Sequence, residues 1–235
     1  MERPILFSAP MVTAILRGKK TVTRRIVKQV ESSASASQRP SLALSMGSEM
    51  EQTTIEPSSV PLHVADEACP YGQPGDLLWL KESFYAFGRW EARFSKDLYR
   101  DEWRFLDLTS TSGLTYQYKQ PADYLKTARS DPRPCWWLRS SVFMPRRASR
   151  ITLEITEVHK ERLRDITDEQ AIAEGFSALH DGMHGYFANH LPPPSAGIST
   201  TPVIAFAVFW QSLNGVESWD DNPWVWVVGF RRITS

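Results

Sequence analysis

The chain has 235 residues, 42% of them hydrophobic, with nine Trp and eleven Phe; this suffices for one large packed domain and excludes wholesale disorder. Its 27 basic and 27 acidic residues cancel, so no global positive field draws in phosphate and any nucleic-acid contact has to come from a local patch. Cys69 and Cys135 are too few and too far apart for a disulfide framework or a cysteine zinc site, and no run approaches the ~20 apolar residues of a membrane span.

In chain order, residues 4–16 are apolar but are broken by Ser8, Pro10 and Thr13. They are followed by Arg17, Lys19 and Lys20 rather than a small-residue cleavage site, so the expectation is a cytoplasmic protein without a membrane partner. Ser8 can cap a short helix with Pro10 in its first turn and Met11, Ile15 and Leu16 inward, stopped by Gly18. Residues 21–27 are rich in β-branched side chains and predict a strand. Residues 31–60 are Ser-rich without periodicity, the mark of an insertion or long loop. A turn at 73–76 leads into a strand at 77–82, and a second aperiodic segment at 86–135 reads as another insertion.

Further along, Ile151, Leu153 and Ile155 alternate with Thr152, Glu154 and Thr156, a half-buried strand. Thr167 and Gln170 form a capping box, with Ile166 and Ala171 as its staple and Gly175 as the stop. Residues 176–200 read as loop. Pro202 opens a helix whose predicted buried face is Val203, Phe206, Ala207 and Trp210, and residues 224–230 (WVWVVGF) form a core strand. Several short strands, three short helices and no βαβ rhythm imply an α+β domain, a small barrel with helices at its rim.

The densest charge pattern lies between Arg17 and Lys28: Arg17, Lys19, Lys20, Arg24, Arg25 and Lys28, with no acid among them. Beside a glycine turn, such a cluster suits phosphate or a polarised carbonyl, while the plainer alternative is a solvated helix end. Residues 15–25 (ILRGKKTVTRR) resemble the signature of the ASCH family. Residues 75–82 (GDLLWLKE) look like its second strand, with Lys81 where arginine is usual. Residues 166–176 are similar to its capped helix, and 222–227 (NPWVWV) to the terminal strand of longer bacterial and phage members. The resemblance implies one PUA-like β-barrel domain over 1–235, interrupted by insertions at about 29–65 and 86–135.

The resemblance also implies RNA binding and, for some small members, amidohydrolase activity on N4-acetylcytidine by a lysine, a threonine and a glutamate. Carried onto this chain, these are Lys20, Thr23 and Glu174. Thr23 would supply a hydroxyl nucleophile, and Lys20 its base once burial or neighbouring Lys19, Arg24 and Arg25 lower its pKa. Glu174 would protonate the leaving nitrogen or orient Lys20, and Arg25 would hold the acyl oxygen or the base carbonyl. Glu174 falls in the last turn of its helix, against the dipole, and so calls for a cationic partner. In a regular strand Lys20 and Thr23 point to opposite faces, so their convergence requires Lys20 in the Gly18 turn or a bulge.

The substrate expected on this reading is a modified cytosine nucleoside or RNA, turned over without metal or cofactor. The alternatives are a non-catalytic RNA reader and, last, a ribonuclease, for which no suitable His pair is visible. Arg133, Arg139, Arg146, Arg147 and Arg150 among Trp136, Trp137 and Phe143 suggest a second grip on single strands. Glu82 is placed to pair with an arginine of the first turn. Tyr186 and Phe187 are candidates for a lid over a base, whereas His180, His184 and His190 lack the periodicity of a metal site.

Overall fold

The computed structural model describes residues 1–28, 68–178, 186–188 and 201–233. In chain order it forms β1 (Glu2–Leu6), α1 (Ala9–Leu16), β2 (Val22–Ile26), β3 (Leu77–Lys81), β4 (Phe84–Ser95), β5 (Arg100–Asp107) and β6 (Cys135–Arg139). There follow β7 (Thr152–Arg162), α2 (Asp168–Ala173), β8 (Phe176–Ala178), β9 (Tyr186–Ala188), α3 (Pro202–Asn214) and β10 (Trp224–Ile233), with short 3-10 turns between.

The apolar terminal strand organises the fold because it is buried on both faces. In the five-stranded sheet, of order β1-β3-β7-β10-β2, β10 pairs antiparallel with both β7 and β2. Trp226, Val228 and Phe230 point to one side, into a core with Ile5, Phe7, Val12, Ile15, Leu78, Leu80, Leu153 and Ile155. Val225 and Val227 point to the other, into a core with Leu163, Ile166, Ala171, Phe176, Ala205, Phe206, Phe209 and Trp210. Two-sided burial explains why this strand reads as a continuous apolar run instead of an alternation. Near its end the β7–β10 register shifts between Gly229 and Phe230, and a Cβ at Gly229 would sit 2.5 Å from Glu157 Cγ. Only glycine admits so close an approach.

The class is therefore α+β, mostly sheet with few short helices. Among the described residues no pairing joins β2 to β1, so the strands do not close into a barrel. No helix among them is long and apolar enough to cross a membrane.

Four elements differ from their sequence reading. In α1 the buried residues are Val12, Ala14 and Ile15, whereas Leu16, expected inward, is exposed, and Ser8 stands at the cap position without a side-chain cap bond. The second insertion is not irregular: β4, β5 and β6 form an antiparallel sheet of order β5-β4-β6, with Trp90 opposite Phe105 and Ala86 opposite Trp137. The outer half of β4 and most of β5 are buried on neither face, so those stretches lack the apolar alternation that marks a strand in sequence. Residues 176–200, expected as loop, contain β8 paired with β9. In α3 the buried face is Pro202, Ala205, Phe206, Phe209 and Trp210, whereas Val203 and Ala207 are only half-buried. The i, i+3, i+4, i+7 stripe holds, rotated by the packing of two aromatic residues, Phe206 and Phe209, against Phe176. The insertion at 29–65 lies outside the described residues.

Candidate active site

The site begins where α1 ends. Gly18 takes φ +67, a left-handed conformation that reverses the chain, and the N–H groups of Lys19 and Lys20 both donate to Ala14 O, at 2.9 and 3.3 Å. Lys20 therefore sits in the turn and not in β2, the arrangement that lets it share a site with Thr23. Next, Thr21 N donates to Ala173 O at 2.8 Å while Thr21 O accepts from Phe230 N at 2.8 Å. This stitch brings the C-terminus of α2 against the start of β2 and sets Glu174, its C-cap, beside Lys20.

Glu174 is held there by local rules. The Thr167–Gln170 capping box starts α2, and Glu174 N donates to Gln170 O at 2.9 Å as the last turn closes. Its carboxylate then receives two cations. Lys20 Nζ donates to Glu174 Oε2 and, at 3.0 Å, to the Glu174 backbone carbonyl. Arg24 Nη1 reaches Glu174 Oε1 at 3.4 Å. The cationic partner that the helix position of Glu174 calls for is present.

Arg24 links this pair to a wider network. In the register of β2, β10 and β7, Arg24 lies opposite Val227 and Glu161 opposite Val225, on the α2–α3 side of the sheet. Arg24 Nε and Nη2 donate to Glu161 Oε1 at 3.0 and 2.6 Å, and Nη2 also donates to Gln170 Oε1 at 2.9 Å. Lys20, Arg24 and Glu174 are 2%, 4% and 3% exposed, so two cations and one carboxylate are buried together, with half-buried Glu161 at the edge of the cluster. Burial drives the Lys20 ammonium below the ordinary lysine range; contact with Glu174 opposes the shift, and the charges of Arg25 and Arg24 add to it.

A cavity of ≈ 290 Å³ opens along the free edge of β2. Lys20, Thr23, Arg25 and Glu174 line it, with Tyr71 on the α1 side and Phe206 and Trp210 of α3 opposite. Its size is at the lower end for a small-ligand pocket, and its mix of apolar walls with a few converging polar groups is typical of one. Thr23 is 4% exposed, and among the described residues no side-chain hydrogen bond engages its hydroxyl. Arg25 donates to Leu6 O at 2.7 Å and lies 5.2 Å over the Phe7 ring. The Arg25 Nε and Trp210 Nε1 donors are buried without a partner among the described residues.

A larger depression of ≈ 760 Å³ involves Arg3, Cys69, Asp76, Lys160 and Trp226. Among the described residues no hydrogen bond joins its Cys69 thiol to His159 or Lys160: His159 faces Glu161 at 3.3 Å, Lys160 Nζ rests 4.4 Å over Trp226, and Asp76 is engaged by Arg3 and by Gln73 N–H.

The remaining residues picked from sequence fall elsewhere. Lys19 is exposed beside the turn. Glu82 is buried, but its partner is Arg150, which grips both carboxylate oxygens at 2.9 and 3.0 Å, and not an arginine of the first turn. Arg146 pairs with Glu2, Arg147 with Asp107 and Tyr116, and Arg133 with Asp131. Trp136 is buried and donates to Asp123. Of the arginines grouped with it, only Arg139 is left without a carboxylate among the described residues.

Tyr186 and Phe187 belong to β9, opposite Ala178 and Ser177 of β8. The three histidines of 180–190 lie outside the described residues. Sequence reasoning missed Glu161 and recognised Gln170 only as a cap. Gln170 carries both duties through one oxygen, and Glu161 gives no local signal because its partner comes from a strand 137 residues away. Compared with known proteins, the chain matches no family model, no curated protein and no solved structure at a significant level.

Proposed function

We propose that the chain is an ASCH-type, PUA-like protein of the cytoplasm that hydrolyses N4-acylated cytosine nucleosides such as N4-acetylcytidine. One observation carries the reading: Lys20, Thr23 and Glu174, separated by up to 154 residues, line one cavity, with Lys20 in contact with Glu174. Of the four segments that resemble the family, the first supplies the Lys20 turn and β2 and the third supplies Glu174, all of which line that cavity, while the second insertion supplies most of the separate β5-β4-β6 sheet.

In the proposed reaction the neutral Lys20 amine accepts the Thr23 proton as Oγ attacks the acyl carbonyl. The tetrahedral intermediate collapses with cleavage of the C–N4 bond, and the lysine ammonium returns the proton to the leaving amino group. Water then hydrolyses the threonyl ester by the same base, releasing carboxylate. Glu174 has both oxygens occupied, by Lys20 and Arg24, which suits an orienting role better than that of proton donor. Arg25 and Trp210 line the cavity and each holds a buried donor without a partner among the described residues, which a small rotation of the side chain would offer to the acyl oxygen or the base carbonyl.

Purified protein is expected to convert N4-acetylcytidine to cytidine and acetate. Lys20→Ala and Thr23→Ala should each lower kcat/KM by about 10²-fold or more. Absence of turnover by folded wild-type protein would refute hydrolysis and leave the second reading, a non-catalytic pocket for a nucleobase within RNA, which the same unpartnered donors favour.

A further inference from the structure

The charge of this chain is neutral only as a whole. Residues 84–150 hold thirteen basic and seven acidic residues, a net +6 that the rest of the chain offsets. Many of these charges are already matched in ion pairs: Arg89 with Glu91, Arg133 with Asp131, Arg147 with Asp107. Two that remain unmatched, Arg129 and Arg139, meet on one face of the β5-β4-β6 sheet.

Strand alternation and register put Trp90, Phe94, Trp103, Phe105, Trp137 and Arg139 on a common side. There the Trp90 ring meets Phe105 and Trp137 edge-on, at 5.4 and 6.0 Å. Two guanidiniums converge on it: Arg129 at 4.5 Å and Arg139 at 4.7 Å from its centroid. Arg139 is also 4.4 Å from Phe105 and 5.1 Å from Phe143.

Neither arginine has a carboxylate partner among the described residues, and burial together with the charge of Arg129 pushes Arg139 below the usual arginine range. Two like charges held on one indole need an anion. Beside them a shallow groove of ≈ 420 Å³ is lined by Arg100, Trp103, Arg104 and Arg129, with Asp101 and Glu102 as its only acids among the described residues. Phe94, Trp103 and Phe143 are 60%, 41% and 66% exposed, far more open aromatic surface than a solvated face requires.

We propose that this face binds a single-stranded polynucleotide, its phosphates held by Arg129 and Arg139 and its bases stacked on the exposed rings. A guanidinium lying over a ring keeps its N–H edge free for bidentate contact with phosphate, and open aromatic faces accept any unpaired base. An acidic peptide would use the arginines but gains little from the rings. A duplex offers phosphates but keeps its bases stacked on each other. The surface lies in the segment outside the family resemblance and does not depend on the hydrolase reading.

The test is fluorescence anisotropy with unmodified single-stranded RNA and DNA of about 20 nucleotides, long enough to cover such a surface. Because the probes carry no acyl group, turnover has no bearing on the result. Wild-type protein should bind one or both, with affinity falling as salt rises from about 50 to 200 mM. Arg129→Ala/Arg139→Ala should weaken binding at least about tenfold and reduce the slope of log K against log salt by about 1.4, the share of two phosphates. Arg129→Glu and Trp103→Ala, both at exposed positions, repeat the test without touching half-buried Arg139, and each should weaken binding in protein whose thermal melt is unchanged. The proposal is overturned if wild type shows no salt-sensitive binding, if these variants bind as wild type does, or if a matched duplex or polyglutamate binds equally well. Concentration-dependent dimerisation that Arg129→Glu abolishes would overturn it too, by making this face a self-contact.

Discussion

The inner five-stranded sheet and the outer three-stranded sheet use the same charged side chains to opposite ends. At β2, Lys20 and Arg24 are buried, each tied to a carboxylate, and the cluster borders a cavity. At the β5-β4-β6 sheet, Arg139 of β6 and Arg129, which precedes that strand, stand over aromatic rings with no acid partner among the described residues. Burial decides the difference. A desolvated lysine against a glutamate is poised for proton transfer, whereas an exposed guanidinium is poised to receive an anion from outside. Net charge, which is zero, is blind to both.

The contrast breaks first where a buried charge loses its partner. Arg24→Ala takes the guanidinium from Glu161, leaving it His159, and leaves buried Glu174 with Lys20 alone, and should destabilise the fold by about 3–5 kcal/mol in denaturant titration. An intermediate effect is expected for Arg150→Ala. It leaves a buried Glu82 without its bidentate donor, at a cost of about 1–3 kcal/mol. The smallest effect belongs to the exposed pairs: Arg231→Ala, on a 69% exposed side chain bonded to Glu154, should change stability by about 0–1 kcal/mol. If the three variants cost the same, burial does not separate the two kinds of site.

Stability should also depend on pH through Lys20. Because its folded-state pKa is depressed, the unfolded chain binds more protons than the folded one between that pKa and the ordinary value of about 10.4. Unfolding free energy should therefore gain a rising contribution as pH climbs through that window, and below it the burial cost stays constant. The Lys20→Met variant should lack this contribution, so the difference between the wild-type and variant stability curves should rise across the alkaline range.

Much of the inner sheet was legible in sequence because its signals are local. The capping box at Thr167, the Gly18 stop and the alternation of Ile151, Leu153 and Ile155 each act within a turn or a strand. The placement of Glu174 against its helix dipole foretold a cation, and Lys20 supplies it. The rest was set by distant partners. Nothing near Glu161 announces Arg24, and nothing near Glu82 chooses Arg150 over the first-turn arginines. The outer sheet stayed hidden because its strands are half solvated. Phe94, Trp103 and Leu106 are all exposed, which blurs the period on which a strand is read.

The account turns on whether Lys20 is a base in a working site or a satisfied charge in the core. The most direct measurement is the pH profile of kcat/KM for N4-acetylcytidine hydrolysis, in wild type and in Lys20→Ala. The account predicts wild-type activity that rises with pH to a plateau, with a midpoint below the ordinary lysine value of about 10.4, and no such rise in the variant. Wild-type protein with no activity at any pH, or a Lys20→Ala variant that keeps the same profile, would contradict it.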